Sequence, residues 1–333
     1  MLEKGTSYFS VRDPQRVEDD LDRFRESGLN AVLHTFSERD RRHYRETMAD
    51  IVDASHERGF TVYLNPWSVG RVFGGEALSE FIGTHPESCQ VLSTGDRLPA
   101  ACFNDPDFRE YMREWIADAA AVGADVLFWD EPHWYIPEWF DEEFPDGAWT
   151  CRCERCQKLY REEYDERMPA TRTDRIDEFR EASLLSFLEE MMGHTARYGL
   201  ENAVCLLPLE DPDHGLRDWE QLAATDHLDV LATDPYWAIH DEESPEFVAS
   251  ATETVVSLSE QYDLTSQIWI QGFRLDDAPE TIADVRNATR AAIDGGVDSV
   301  FLWGYDGCRS ISDIACEDPE AVWNAYLEEL SVE

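Results

Sequence analysis

One unit recurs along this chain: a polar amphipathic stretch, a glycine, and a short apolar run that ends on polar or aromatic residues. Glu26-Ser27-Gly28 leads into Ala31-Val32-Leu33-His34, and Glu57-Arg58-Gly59 into Thr61-Val62-Tyr63-Leu64-Asn65. Ala121-Val122-Gly123 leads into Val126-Leu127-Phe128-Trp129-Asp130, Arg197-Tyr198-Gly199 into Val204-Cys205-Leu206-Leu207, and Gly295-Gly296 into Val300-Phe301-Leu302-Trp303. A glycine closing a periodic segment is a helix C-cap. Apolar runs without alternation suit strands buried on both faces of a parallel sheet. Ser7-Tyr8-Phe9-Ser10, Asp229-Val230-Leu231-Ala232 and Gln267-Ile268-Trp269-Ile270 fill the same slot.

Strands are therefore predicted at 7–11, 31–36, 61–66, 125–130, 203–208, 228–234, 267–272 and 299–305. Helical patterns lie between them at 14–27, 40–58, 107–122, 157–198 (broken near Pro169), 216–224, 245–261, 279–294 and 318–330. Alternation of this kind predicts an α/β fold, a (β/α)8 TIM barrel, with residues 1–333 as a single domain. The rival is an open doubly wound sheet, which carries a Gly-rich phosphate loop after an early strand; here Arg12-Asp13-Pro14 follows the first. Two long loops, 67–105 after strand 3 and 132–156 after strand 4, belong to the C-terminal face, where barrels build their sites.

Acidic residues number 71 against 28 basic, a formal net charge of −43. That excludes the basic footprint of a nucleic-acid binder and attraction to anionic lipid, and no run has the ~18 apolar residues of a membrane span. Met1-Leu2-Glu3-Lys4 lacks the apolar core of a signal peptide, so a cytoplasmic location is expected. The acids are spread along the chain, and all basic residues except Lys4 and Lys158 are Arg. Self-repulsion of this size is screened at molar salt. The composition resembles proteins of extreme halophiles; stability should rise with KCl, and a melting temperature flat from low to molar KCl would refute it.

The strand ends offer His34, then Asn65 and Trp67, then Asp130, Glu131 and Trp134. Glu210 and Asp211, Asp234 with Tyr236 and Trp237, Gln271 with Arg274, and Trp303 with Tyr305 and Asp306 follow. Trp and Tyr beside carboxylates suit a sugar, whose C–H faces stack on rings while acids bind its hydroxyls. Paired carboxyls also suit glycosidic cleavage. Trp129 and Trp269 read as core. Adjacent Asp130 and Glu131 at the end of a buried run are costly to desolvate unless used or paired.

Phe128-Trp129-Asp130-Glu131-Pro132 resembles the Asn-Glu-Pro signature at strand 4 of the retaining barrel glycosidases, with Asp130 in place of Asn. The resemblance implies Glu131 as general acid/base. Cys151-Arg152-Cys153-Glu154-Arg155-Cys156 is a CxCxxC cluster, and Cys102 stands in the preceding loop. Four thiolates can close a structural zinc site. The set resembles the zinc-carrying β-galactosidases of that clan, which implies Cys102, Cys151, Cys153 and Cys156 as ligands of a structural zinc. Cys89, Cys205, Cys308 and Cys316 read as core or loop residues.

Two departures matter. That family carries further domains after its barrel, whereas this sequence stops after the eighth helix. The clan places its nucleophilic Glu on strand 7, where this chain has Gln271. Asp234 is the candidate second acid, and a strand-4 acid with a strand-6 Asp is similar to α-galactosidase-like barrels. In that version Asp130 attacks and Asp234 protonates; in the other, Glu131 protonates with Asp234 or Asp306 as partner. His34, Asn65, Trp67, Trp134, Tyr236, Trp237, Gln271, Arg274, Trp303, Tyr305 and Asp306 are candidate substrate-binding residues. The expectation is a glycoside hydrolase-like enzyme acting on a small saccharide or glycoside. A non-catalytic carbohydrate-binding barrel is the alternative, because of Gln271. A metal-dependent hydrolase or lyase lacks its His ligands. The oligomeric state is left open, a homo-oligomer being one outcome.

Overall fold

The computed structural model describes residues 2–9, 11–140, 143–208, 214–309 and 313–331. The strands are β1 (Glu3–Tyr8), β2 (Ala31–Thr35), β3 (Thr61–Asn65), β4 (Cys89–Val91), β5 (Arg97–Ala101), β6 (Val126–Asp130), β7 (Glu201–Leu206), β8 (Val230–Thr233), β9 (Thr265–Gln271) and β10 (Ser299–Trp303). Eight of them close a barrel in the order β1-β10-β9-β8-β7-β6-β3-β2, every neighbour parallel. β4 and β5 form a separate antiparallel pair within the loop after β3. No helix among the described residues is long and apolar enough to cross a membrane.

The main departure from the sequence reading is the first strand, which pairs over Glu3–Tyr8 rather than 7–11. Lys4-Gly5-Thr6 has little apolar character, but Gly5 faces Phe301, whose ring would lie 2.3 Å from a Cβ there. The Phe301 side chain fills that place in the barrel. The expected helix at 40–58 is two, Glu38–His43 and Arg45–Glu57, with Ser37 and Asp40 forming a capping box at the first. The long helical stretch breaks into Glu154–Tyr164 and Asp174–Thr195, spanning Pro169.

The recurring glycines do what a C-cap requires. Gly28, Gly59, Gly123, Gly199 and Gly296 have φ between 74° and 98°, and His227 and Asp263 take the same slot at 70° and 59°. Before every second strand an extra Asn or Asp follows. Asn30 Oδ1 accepts from Lys4 N at 2.8 Å, Asp125 Oδ2 from Val62 N at 2.8 Å, Asp229 Oδ2 from Asn202 N at 2.8 Å and Asp298 Oδ2 from Ser266 N at 3.0 Å. Each side chain ties its strand to the one before, so the bottom of the barrel is laced in four pairs.

Inward residues fill the axis. Tyr63, Phe128, Trp269 and Phe301 pack with ring centroids 4.7–6.5 Å apart. Outward residues join the helix layer; Trp129, for example, packs on Trp115 at 6.1 Å and donates to Asn202 Oδ1 at 3.0 Å.

Candidate active site

Above the aromatic plug, alternation brings three carboxyl groups to the mouth. Asp130 ends β6 on the inward side, Asp234 follows β8, and both are nearly fully buried. Glu131 would face outward in an extended strand. Its φ of 42° breaks the alternation, while its N–H still donates to Cys205 O at 3.0 Å. A left-handed non-glycine residue is uncommon and strained. Here it keeps both acids on one side. Asn65 Nδ2 donates to Asp130 Oδ2 at 3.0 Å, and Asp234 is in hydrogen-bond contact with Glu131.

The loop after β3 covers this cluster. A Cβ at Gly74 would stand 2.8 Å from Glu131 Oε2 and 3.0 Å from Asp130 Oδ2, and one at Gly75 would overlap the Trp67 ring. Only glycine lets the backbone lie so close. Trp67, Phe9 and Trp303 wall the mouth: Phe9 stacks on Trp303 at 5.2 Å and meets Trp67 edge-on at 5.6 Å. Asn65 Oδ1 and Asp234 Oδ1 are buried without a hydrogen-bond partner, as ligand-facing polar atoms are.

Burial pushes the Asp130 and Asp234 carboxyls well above the usual carboxylate range, and the charge of Glu131 adds to it in both. Burial likewise raises Glu3 at the barrel floor, despite hydrogen bonds from Ser299 and Tyr63. An acid with a raised folded-state pKa holds its proton more tightly folded than unfolded. Its stabilising contribution is complete below the unfolded value of about 4 and is lost as pH rises through the folded one. The melting temperature is therefore expected to fall as pH rises above about 4, with a shallower slope in Asp234→Asn. A melting temperature that climbs over this range would contradict the protonation assigned here.

Other expected residues lie elsewhere. His34 is on the outward register of β2, with Nε2 3.0 Å from Ser55 Oγ; burial, then the Arg12 charge, lowers its pKa to about 3. It is a core histidine. Trp134 packs edge-on to Phe103 at 5.0 Å under the Arg180 guanidinium, because His133 N bonds Val72 O and draws the chain behind the barrel wall. Gly304, at φ 118°, turns the chain outward after β10. Tyr305 consequently packs on Phe24 at 4.6 Å and Asp306 pairs with Arg309, both outside the mouth. Trp237 joins the helix-layer core, whereas Tyr236 stays inward, edge-on to Phe273 at 5.1 Å. Gln271 is inward, but Oε1 accepts from Ala238 N at 3.1 Å and Nε2 donates to Phe273 O at 3.1 Å. Its amide fastens two loops. Arg274 is exposed at the rim near Glu76. Glu210 and Asp211 lie outside the described residues.

Sequence reasoning passed over Gly74, Gly75 and Phe9; Cys205, read as a core or loop residue, is buried in the barrel core next to the acids, and burial pushes its thiol upward. The tandem Gly74-Gly75 was the available signal.

The four cysteines converge from both long loops. Their sulfurs all lie within 4.8 Å of one another, Cys102 being 3.5 Å from Cys156 and 3.8 Å from Cys153. Zinc about 2.3 Å from four sulfurs gives a tetrahedral edge of about 3.8 Å, so the set fits a tetrahedral metal. Backbone and amide N–H groups aim at the sulfurs: Val91 N at Cys151, Cys156 N at Cys153, and Asn104 Nδ2 at Cys156, at 3.4–3.5 Å. Such donors favour thiolates. The cluster joins the long segment between β3 and β6, which carries Trp67, Gly74 and Cys102, to the loop after β6.

Among solved structures, the chain is similar to the catalytic domain of β-amylase from Paenibacillus polymyxa (9% identity, TM-score 0.66, 99% of each chain covered). It is also similar to GH5_18 from Streptomyces cattleya in complex with GlcNAc (15%, TM-score 0.60, 99% of this chain and 80% of that one). D-allulose 3-epimerase from Methylomonas sp. shares the architecture as well (10%, TM-score 0.53, 99% and 96%). The chain is a (β/α)8 barrel. No protein-family model and no curated protein matches its sequence. At these identities the likeness of the barrel to its neighbours is one of fold, and the chemistry has to be argued from the mouth.

Proposed function

We propose that the barrel is a glycoside hydrolase in which Asp234 is the proton donor and Glu131 the partner carboxylate. The observation that carries this is the joining of three acids at the mouth, where burial pushes the Asp130 and Asp234 carboxyls well above the usual carboxylate range. Cleavage of a glycosidic bond takes one neutral acid and one carboxylate. In the free protein Asp234 and Glu131 touch, closer than the ~5–5.5 Å of a retaining pair. An entering sugar oxygen has to part them, and Glu131 is the less buried of the two. Asp130, held by Asn65, takes a substrate hydroxyl. Trp67 and Trp303 supply stacking faces, and Asn65 Oδ1 supplies a free polar atom.

In this reading Cys102, Cys151, Cys153 and Cys156 hold a structural zinc that takes no part in the reaction and fixes the loop bearing Trp67 and Gly74. The protein works in the cytoplasm at high salt on a small saccharide or glycoside. The test is a panel of α- and β-linked aryl glycosides in molar KCl, read both for aglycone release and for binding by thermal shift. Release with at least one anomer is expected. Binding across the panel without release would replace this reading with the non-catalytic sugar-binding barrel, for which Gln271 is the motive.

A further inference from the structure

The mouth over the acids is shut. Phe9, Trp67, Asp234, Tyr236 and Trp303, which line it, are each at most 9% exposed. A sugar has no way in unless part of the chain moves. The loop after β3 is the part that crosses the opening. In the ring of eight strands β3 and β9 stand four places apart, on opposite sides of the barrel. Yet Glu76 of this loop lies within electrostatic reach of Arg274 on the loop after β9, whose charge favours its carboxylate. On the way across, Gly74 lies against the Asp130 and Glu131 carboxyls. Gly75 lies against the pyrrole edge of Trp67, where a Cβ would stand 1.7 Å from the ring.

This loop is fastened on either side of a short free stretch. Gly74 N donates to Asp130 O at 3.0 Å, and Gly74 O accepts from Ser68 N at 2.9 Å. Ser79 Oγ donates to the buried Glu38 Oε1 at 2.5 Å and accepts from Gly70 N at 3.2 Å. Between these anchors no backbone N–H or C=O of Gly75, Glu76 or Ala77 pairs with another described residue, and Leu78 is 88% exposed. A segment with so few backbone ties opens at low cost. Gly75, at φ 120°, takes a conformation suited to glycine and can serve as its hinge. Glu76 holds the stretch down: its carboxylate accepts from the Trp67 indole and is drawn toward Arg274. Arg274 is set for this, left-handed at φ 51° with its N–H donating to Ile314 O at 2.8 Å.

We propose that Gly75–Leu78 is a gate, hinged at Gly75 and latched by Glu76 between Trp67 and Arg274, and that a substrate reaches the acids only when it lifts. The hydrolase reading enters only in what passes the gate. Lifting frees the edge of the Trp67 ring on which a sugar is to stack, and closing again keeps water from the acids. Glu76 and Arg274 are positioning residues: they act through the cover they hold in place.

Cys205 reports on the gate without any ligand, because its thiol is buried in the inward cluster with Trp67, beside the acids. The folded protein is treated with methyl methanethiosulfonate, which is small and uncharged. Peptide mass spectrometry then gives the modification rates of Cys205 and of Cys89, which is buried outside the mouth against the Ile82 and His85 carbonyls. Glu76→Ala removes both ties and should speed Cys205 on the order of tenfold, the loss of one hydrogen bond to a charged group. Arg274→Gln should speed it about threefold, as for a partly exposed ion pair. The double variant should be no faster than Glu76→Ala, since Arg274 acts through Glu76. Gly75→Ala, whose methyl cannot share the place of the Trp67 ring, should match or exceed Glu76→Ala. Cys89 should keep its rate throughout. A Cys205 rate unchanged in Glu76→Ala and Gly75→Ala would overturn the gate. If either variant speeds Cys89 equally, through loss of structure, the exposed substitution Arg274→Gln decides alone, and a wild-type Cys205 rate there overturns it. The expected Cys205 pattern in a protein that neither binds nor cleaves any glycoside would leave the gate standing and remove the hydrolase reading.

Discussion

Glu131→Gln should lose about 10³-fold in kcat on any aryl glycoside the protein cleaves, since one positioned acid or base supplies roughly 10²–10⁴-fold. Asp234→Asn should lose a similar factor, with a further signature. If Asp234 donates the proton, the wild-type rate falls at high pH as that carboxyl ionises, and the amide removes this limb. Glycosides with very good leaving groups need little protonation and should be hurt least. Asp130→Asn should weaken binding more than turnover, because Asp130 is fastened to Asn65 and meets a hydroxyl. Neither Glu131→Gln nor Asp234→Asn should unfold the barrel, as the first removes charge from a crowded, desolvated site and the second replaces a protonated carboxyl with an amide of the same shape. Unchanged turnover in Glu131→Gln with a normal melting curve would take Glu131 out of the chemistry.

The second large effect concerns the sulfur cluster. Protein produced with zinc present should carry one metal per chain, and Cys156→Ser should lose it. Apparent zinc affinities in small zinc domains are about 10–16 kcal/mol at neutral pH. Even a fraction of that, felt through two long loops, predicts a fall of many degrees in melting temperature. Activity should fall too, because Trp67 and Gly74 belong to the loop that the cluster anchors. Prolonged chelation should reproduce both effects and zinc should reverse them. Elemental analysis without metal, together with an unchanged melting temperature in Cys156→Ser, would leave the cysteines as plain buried thiols.

The fold was legible because the repeating unit is backbone chemistry: a left-handed residue, an apolar cap and a buried run recur at nearly every strand. β1 was misplaced because its place in the barrel is filled by a ring from β10 rather than by its own side chains. Asp130, Glu131 and Asp234 were legible since acids at the ends of apolar runs have few other uses. His34, Trp134, Tyr305 and Asp306 carry the right chemistry at strand ends but face the wrong way. A period of two decides His34, and a single turn after β6 or β10 decides the rest, neither of which composition reveals. Gln271 sits where the barrel clan keeps a carboxylate, yet its amide is spent on the backbone of Ala238 and Phe273. The gathering of the four cysteines was legible through the resemblance to zinc-carrying β-galactosidases, which joins Cys102 to the CxCxxC run; the spacing of the run does not by itself single out that distant partner.

The lacing of the barrel floor has a consequence for how this molecule can be taken apart. The side chains of Asn30, Asp125, Asp229 and Asp298 each bind an amide of the strand just before their own, while their backbone carbonyls accept from Thr61 N, Glu201 N, Thr265 N and Glu3 N of the following pair at 2.9–3.0 Å. Side-chain clasps thus close each of four strand pairs, and backbone bonds from the same four residues join one pair to the next. New chain ends opened between the helices near Tyr44, or in the stretch between Tyr164 and Asp174, would fall at seams and cut no clasp. A break inside a pair would separate a clasp from the strand it fastens.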